Sequence, residues 1–208
     1  MTLLDDLREN RLLGIIRGTD AAASIDTALA LADEGVRLFE VSLTSADALR
    51  VIEEIATRLD GRIQLGAGTV LTPDQVTRVR EAGATYVVTP AVAPSVPAAI
   101  ERGIPVLCGA LTPTEIVTAV GLGVDAVKIF PASTMGPGYL KDLRAPFPEV
   151  PLVPVGGVAA DTVPRYLADG AVAVGVASPL CGDAPDGGDL NALRVRARSF
   201  LAAVREPA

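Results

Sequence analysis

Eight short apolar segments recur along the chain, and no other feature restricts its fold so strongly. They begin near residues 13, 38, 64, 86, 105, 126, 151 and 172, so roughly 19 to 26 residues separate one start from the next. That interval holds one strand, a turn, one helix and a second turn. Because strands that are apolar along their whole length are typical of parallel sheets covered by helices, the pattern predicts eight β/α units.

The count of eight favours closure of the sheet into a single (β/α)8 TIM barrel over residues 1–208, with an extra N-terminal helix at residues 2–10. No linker divides the chain, so one domain is expected. An open, doubly wound sheet is the alternative. Such a sheet commonly has a G-x-G-x-x-G turn after its first strand, whereas Arg17-Gly18-Thr19-Asp20 follows the first segment here.

The acidic charge balance argues against nucleic acid as a partner. The sequence has 18 basic and 25 acidic residues, a net charge of −7, and no basic stripe that would neutralise phosphates. No apolar stretch of about 18 residues lacks proline, glycine and charge, so no membrane span is expected. The acidic start has no signal-peptide core, and Cys108 and Cys181 fit no ligand spacing, which predicts a reducing, cytoplasmic location.

The absence of histidine from the sequence removes several kinds of catalytic site. Zinc hydrolases, Ser-His-Asp triads and aldol chemistry on a histidine-bound metal all need an imidazole. The chemistry must then rest on lysine, carboxylates, hydroxyls, backbone dipoles or a borrowed cofactor. No metal site is expected.

Lys128 lies inside an apolar segment, residues 124–132, that is short enough for a buried strand, in a chain with only two lysines. Because side chains alternate along a strand, Lys128 should share a face with Ala126, opposite Val127 and Ile129. Burial disfavours the charged form of an amine, and an uncharged lysine attacks carbonyl carbons, which arginine does not. The alternative is a structural lysine whose stem packs inside while its head reaches the strand end.

Glu40 is a second charged residue in an apolar segment, on the strand face opposite Phe39 and Val41. As a general acid and base it would contribute a factor of roughly 10²–10⁴ to the rate. The alternative is a structural ion pair with Arg17. A lysine beside a carboxylate, without histidine, suits Schiff-base carbon–carbon chemistry, in which the iminium accepts the electrons of the bond that breaks.

Reactive groups in a barrel gather where the strands run into the loops that follow them. Besides the two charged residues, these ends carry Arg17, Thr69, Pro90, Phe130, Gly156, Gly157 and Ser178. The glycine pair and the serine follow the last two segments, where barrels often bind phosphate through backbone amides, and the threonine hydroxyl can donate to a carboxylate. The alternatives are that the glycine pair is a simple turn and that residues 66–69 only make room for packing.

Five motifs occur in order along the chain: Glu40-Val41-Ser42-Leu43, Gly66-Ala67-Gly68-Thr69-Val70-Leu71, Val88-Thr89-Pro90, Val127-Lys128-Ile129-Phe130-Pro131-Ala132 and Val155-Gly156-Gly157-Val158. Together they resemble the KDPG/KDPGal aldolase family, from about residue 3 to residue 204. Members are class I enzymes that split 2-keto-3-deoxy-6-phospho sugar acids into pyruvate and glyceraldehyde 3-phosphate. The resemblance implies a cytoplasmic homotrimer that needs no cofactor and whose partners are a phosphorylated keto acid and pyruvate.

The resemblance also implies a role for each candidate residue. Lys128 would form the Schiff base, Glu40 would transfer protons, and Thr69 would hold the pyruvyl carboxylate. Arg17, Pro90 and Phe130 would line or wall the pocket. The phosphate would be bound by Gly156, Gly157 and Ser178.

One position departs from the gluconate branch of that family, which usually has an arginine where this chain has Thr44, followed by Ser45. The galactonate branch tends to have Asn-Ser there, and residues 136–139 also look like that branch, so KDPGal is the favoured substrate. Three alternatives stay open. They are a 4-hydroxy-2-oxoglutarate aldolase, a phosphate-binding isomerase or synthase that uses Glu40 without an imine, and a ligand-binding barrel without catalysis.

Overall fold

The computed structural model describes residues 2–206, and its strands follow the apolar segments closely. The strands are β1 (Leu12–Ile16), β2 (Leu38–Ser42), β3 (Gln64–Gly68), β4 (Tyr86–Val88), β5 (Val106–Ala110), β6 (Ala126–Ile129), β7 (Leu152–Pro154) and β8 (Val174–Val176). The terminal residues 1, 207 and 208 of the predicted domain lie outside the described residues.

The sheet is parallel throughout, in the order β7-β6-β5-β4-β3-β2-β1-β8. An isolated parallel bridge between Val155 and Gly175 joins the two ends of that order, next to β7 and within β8. Eight strands alternating with helices and closing in this way form a (β/α)8 TIM barrel, so the predicted fold is confirmed and the open sheet is excluded.

The helices alternate with the strands and begin with the extra helix predicted at the N-terminus. They are α1 (Leu3–Asn10), α2 (Ala21–Glu34), α3 (Ala48–Arg58), α4 (Pro73–Glu81), α5 (Ser95–Glu101), α6 (Pro113–Leu122), α7 (Ala132–Met135), α8 (Pro137–Arg144), α9 (Val163–Ala168), α10 (Ser178–Cys181) and α11 (Leu190–Ala203). Short 3-10 turns lie at Ala160–Thr162 and Ala184–Asp186. Within residues 2–206, no helix has the length and apolar character needed to span a membrane.

Two apolar layers follow from the alternation of side chains along the strands. Val127 and Ile129 of β6 pack against the helices, whereas Ala126 belongs to the cluster that fills the barrel interior. Phe39 and Val41 of β2 face the helices in the same way. The even-numbered residues of β2 and β6, which include both charged candidates, therefore lie on the interior face, as predicted.

The end of the barrel at which the strands begin is closed. Leu3 and Leu7 of α1 join the interior cluster there, together with the ring of Tyr86. A side chain on Gly66 would overlap that ring, and the Tyr86 hydroxyl donates a hydrogen bond of 3.0 Å to the carbonyl oxygen of Phe39. The glycine at position 66 thus makes room for the ring that fills this end of the barrel.

Candidate active site

Lys128 and Glu40 are both buried on the interior face of the barrel, with exposed fractions of 7 % and 1 %. Lys128 is the second-last residue of β6, and its Nζ lies 5.3 Å from the centroid of the Phe130 ring. The Phe130 ring therefore lies next to the amine, at the end of the barrel where β6 stops. The amine therefore lies where a ligand in the barrel mouth would contact it.

The pKa of the Glu40 carboxyl group responds both to burial and to the charged candidates near it. Burial raises the pKa of Glu40, while Lys128 and, to a smaller extent, Arg17 act in the opposite direction. Because burial outweighs both attractions, the protonated carboxyl group is favoured beyond its ordinary range. Such a group can hold a proton and give it up, which general acid and base catalysis requires.

The position of the Glu40 carboxyl group is fixed by its neighbour on β3. Glu40 is paired with Gly66 in the sheet, and its side chain reaches over Gly68, where a Cβ atom would overlap Oε1. Its second oxygen, Oε2, is buried and has no hydrogen-bond partner within residues 2–206. A structural ion pair with Arg17 would supply such a partner, so the geometry favours a carboxyl group that is available to a ligand.

Thr69 follows β3 with an unusual backbone, at a φ of 60°. For a β-branched residue this left-handed conformation is strained, and strain of this kind persists only where the surroundings hold it. The Thr69 hydroxyl lies 3.0 Å from Ser42 Oγ, and Ser42 Oγ lies 2.8 Å from Thr44 Oγ1. A row of three hydroxyl groups thus borders the mouth of the barrel beside Glu40.

Sequence reasoning gave Ser42 no role, although one signal pointed to it. Ser42 is fully buried and lies two residues after Glu40 on the same strand, so the alternation that places Glu40 inside also places Ser42 inside. A small hydroxyl inside an apolar barrel needs partners, and here they are Thr44 and Thr69.

Pro90 and Phe130 lie on either side of the Lys128 strand. Gly109 of β5 is the sheet partner of Lys128, and a side chain on Gly109 would overlap the Pro90 carbonyl group. The Phe130 ring is 40 % exposed and lies over Gly156, whose absent Cβ atom would be 3.1 Å from the ring. The structure thus places Phe130 beside Lys128 and Pro90 beside the sheet partner of Lys128.

The glycine pair follows β7 and adopts conformations that favour glycine. The φ angles are 96° for Gly156 and 72° for Gly157, and Ser133 lies so close to Gly157 that a Cβ atom there would be 2.5 Å from it. Ser178 is exposed and opens α10 in the next loop, beside β8. The first amides of a helix have no partner within it, and open backbone next to glycine can approach an anion closely.

Arg17 is exposed at the end of β1, and the loop that it opens is tied to the loop after β8. The Thr19 amide and hydroxyl donate to Asp186 at 2.6 and 2.8 Å, and the Ser24 hydroxyl donates to the Pro185 carbonyl oxygen at 3.3 Å. Gly18 has no room for a side chain beside Pro185. These contacts, which the sequence did not indicate, join the first and last units of the barrel close to Arg17 in the chain.

The two cysteines lie away from this chemistry. Both are free thiols, buried as predicted, and burial raises the pKa of each, to about 12 for Cys181. Since the thiolate is the reactive form, neither is a nucleophile near neutral pH. A groove of about 530 Å³ lies outside the barrel between α3 and α4, where Arg50 and Arg78 line it, but neither Lys128 nor Glu40 does.

Comparison with known proteins gives one consistent family. The family model "KDPG and KHG aldolase" matches residues 3–193. A probable 2-dehydro-3-deoxy-6-phosphogalactonate aldolase of Rhizobium meliloti is 34 % identical over 94 % of this chain and 92 % of its own length. A 2-dehydro-3-deoxy-phosphogluconate aldolase of Pseudomonas aeruginosa is also 34 % identical, over 77 % of this chain and 74 % of its own.

Solved structures agree with the same assignment. A native KDPGal structure superimposes with a TM-score of 0.88 at 31 % identity and covers 94 % of both chains. A KDPG aldolase of Legionella pneumophila, in which pyruvate was captured at low pH as a covalent carbinolamine, superimposes with a TM-score of 0.86 at 25 % identity, over 97 % of this chain and 98 % of that one.

Proposed function

The chain belongs to the KDPG and KHG aldolase family and is an aldolase, and on that premise we propose that it acts through a Schiff base on Lys128. The substrate would be a 2-keto-3-deoxy-6-phospho sugar acid, and the products pyruvate and glyceraldehyde 3-phosphate. One observation carries the proposal: a lysine that is 7 % exposed faces the barrel interior with a buried glutamate whose Oε2 has no partner in the described chain.

The first half of the proposed reaction builds the electron sink. The uncharged Lys128 amine attacks the C2 ketone, and the carbinolamine then loses water to give an iminium. Glu40 supplies the proton that leaves with the hydroxyl, which its raised pKa permits. The carbinolamine captured in the Legionella pneumophila enzyme is the equivalent species in that protein.

The second half breaks the carbon–carbon bond. The Glu40 carboxylate takes the proton of the C4 hydroxyl, the C3–C4 electrons move into the iminium, and glyceraldehyde 3-phosphate leaves as an enamine forms on Lys128. The same proton then returns to C3, water hydrolyses the resulting iminium to pyruvate and the free Lys128 amine, and the proton released in this step goes back to the Glu40 carboxylate. Every proton is accounted for by one carboxyl group, which must be able to gain and lose it near neutral pH.

The other candidate residues would bind the ends of the substrate. Thr69 would donate its hydroxyl to the pyruvyl carboxylate, with the Arg17 guanidinium nearby to offset the charge. At the far end, the backbone at Gly156 and Gly157 and the start of α10 at Ser178 would bind the phosphate. Gly156 lies against the Phe130 ring, whose centroid is 5.3 Å from Lys128 Nζ, and this position supports the division of the pocket.

Replacement of Lys128 by arginine tests the reaction type. Arg keeps the positive charge and much of the bulk but cannot form an imine, so Lys128→Arg should abolish cleavage. Lys141→Arg is the matched control, since Lys141 is the other lysine of the chain and lies in α8. Full activity of Lys128→Arg would support the isomerase or synthase alternative, in which the lysine acts only by its charge.

We also propose that the galactonate substrate is preferred. Thr44 stands where the gluconate branch usually has arginine, Ser45 follows it, and the Thr44 hydroxyl lies 2.8 Å from that of Ser42. Relatives of both kinds match at 34 % identity, so the substrate must be decided by assay. Pyruvate release from each C4 epimer, measured with lactate dehydrogenase, should be faster from KDPGal, and 4-hydroxy-2-oxoglutarate serves as the third substrate.

The assembly, the domain count and the location are also proposed from the family resemblance. We propose a homotrimer of the 21.3 kDa chain, one domain per chain, in the cytoplasm. Sedimentation equilibrium distinguishes a trimer from a monomer by mass.

A further inference from the structure

We propose that Ser42 is a positioning residue that orients the hydroxyl group of Thr69 toward the carboxylate of the substrate. The inference rests on the proposed function, in which Thr69 binds that carboxylate. Ser42 is the last residue of β2 and is fully buried, with Oγ 3.0 Å from Thr69 Oγ1 and 2.8 Å from Thr44 Oγ1.

The three hydroxyl groups in this row have one proton each to donate. Each hydroxyl donates one hydrogen bond and accepts up to two. If Thr69 donates to Ser42, it has no proton left for an anion. If Ser42 donates to Thr69 instead, the Thr69 proton is free to point into the site, and Ser42 can accept from the Thr44 hydroxyl. An anion beside Thr69 selects the second order, because only that order presents a donor to it.

The backbone around Ser42 supports this direction. The Thr44 amide lies 3.4 Å from Ser42 Oγ and points a donor at it, so Ser42 is already an acceptor on the Thr44 side. Its own proton is best used on the opposite side, where Thr69 stands. Thr44, which is exposed, begins the row, and Thr69 ends it beside Glu40.

Main-chain hydrogen bonds on either side of Thr69 hold its strained backbone but do not orient its hydroxyl group. Its neighbours are held through the main chain, since the Leu43 amide donates to the Gly68 carbonyl oxygen at 2.8 Å and the Val70 amide donates to that of Val88 at 3.2 Å. These bonds fix the φ of 60° but leave the hydroxyl free to rotate. Within residues 2–206, the Thr69 hydroxyl forms its hydrogen bond with Ser42 Oγ.

The test compares the binding of pyruvate, which has a carboxylate, with that of acetone, which has only the ketone. Borohydride reduction traps either one on the lysine, and the concentration for half-maximal trapping reports binding. Hydrogen bonds to charged groups contribute enough that Ser42→Ala should raise this concentration for pyruvate by roughly 10-fold or more. The value for acetone should not change, and Ser42→Thr, which keeps the hydroxyl, should restore pyruvate binding.

Two further variants separate positioning from simple support of the fold. Thr27→Val removes another fully buried hydroxyl, from α2, and should leave both probes unaffected. In a Thr69→Val background, Ser42→Ala should add nothing, because Ser42 acts through Thr69.

Three outcomes would overturn the inference. Equal pyruvate dependence in Ser42→Ala and wild type would show that Ser42 has no role, and equal losses for pyruvate and acetone would show a structural one. Additive losses in the Thr69→Val background would show that Ser42 acts independently of Thr69. Failure of wild type to trap pyruvate at all would instead remove the proposed function, and the Ser42 inference with it.

Discussion

Glu40 is a carboxyl group whose environment favours the protonated form, and this has opposite consequences for activity and stability. Burial raises its pKa above the ordinary value of 4.5 despite the two nearby cations. Its folded pKa therefore exceeds its unfolded pKa, so its contribution to stability is fully present below about pH 4.5 and is lost as the pH rises through the folded value.

Glu40→Gln should then lower activity by roughly 10²–10⁴, because the proton carrier is lost, while raising stability at pH 8. Urea unfolding of both proteins at pH 5 and pH 8 provides the measurement, with the exposed Glu54→Gln as control. The stability advantage of Glu40→Gln should shrink toward pH 5. A stability difference between the two proteins that does not change with pH would show that burial does not raise the pKa of Glu40.

Gly68 lies beneath the Glu40 carboxyl group, and its missing side chain is part of the site. A Cβ atom there would overlap Oε1, so Gly68→Ala should displace the carboxyl group. Displacement of a catalytic group by about 1 Å can cost roughly 10² in rate, and we expect a loss of that order in cleavage. Gly121→Ala in α6, where a Cβ atom meets nothing within 4 Å, should keep full activity. Normal activity of Gly68→Ala would contradict the placement of Glu40.

At the scale of elements, the sequence predicts those features that depend on residues close together in the chain, such as helix caps. The Thr-Pro pairs at residues 72–73 and 112–113 have the sequence of an N-cap followed by proline, and in the structure each threonine caps a helix and forms a capping box. The four-residue helices α7 and α10 were not predicted, because one turn of helix carries no amphipathic period. The contact of Asp186 with Thr19 joins residues 167 positions apart, and no local pattern indicates such a pair.

An ion-pair network joins helices α2 and α11, and from it we predict how the stability of the protein changes at low pH. Glu34 accepts hydrogen bonds from Arg198 at 2.7 and 3.1 Å and from Arg194 at 3.3 Å, and mainly the Arg198 bonds lower its pKa to about 2, against an ordinary value of 4.5. A folded pKa below the unfolded one gives stability that is present above about pH 4.5 and lost as the pH falls toward 2.

Glu34→Gln should therefore be less stable than wild type at pH 6, and the difference should vanish as the pH falls from 4.5 toward 2. The Arg198 side chain is 62 % exposed, although that of Glu34 is only 15 % exposed, so salt should also reduce the difference. Urea unfolding between pH 2 and 6, with the exposed Glu81→Gln as control, measures it. A difference that persists unchanged at pH 2 would show that the arginines contribute little to this helix contact.

At the scale of the whole molecule, the barrel has one closed end and one reactive end. The N-terminal helix and the Tyr86 ring fill the end where the strands begin, and both charged interior residues lie toward the other end. The spacing of apolar segments was sufficient to predict this architecture, because a side-chain period and a segment count determine it. The substrate epimer and the assembly depend on surfaces that no strand period describes.

The most direct test of the account is to find which amine pyruvate attaches to. Wild-type protein is incubated with pyruvate and sodium borohydride, digested, and its peptides are weighed by mass spectrometry. We expect a reduced pyruvate adduct on Lys128 of the wild-type protein. The adduct should be absent from Lys128→Arg and retained in Lys141→Arg. An adduct on Lys141 alone, or no adduct while the protein still cleaves its substrate, would contradict the central claim.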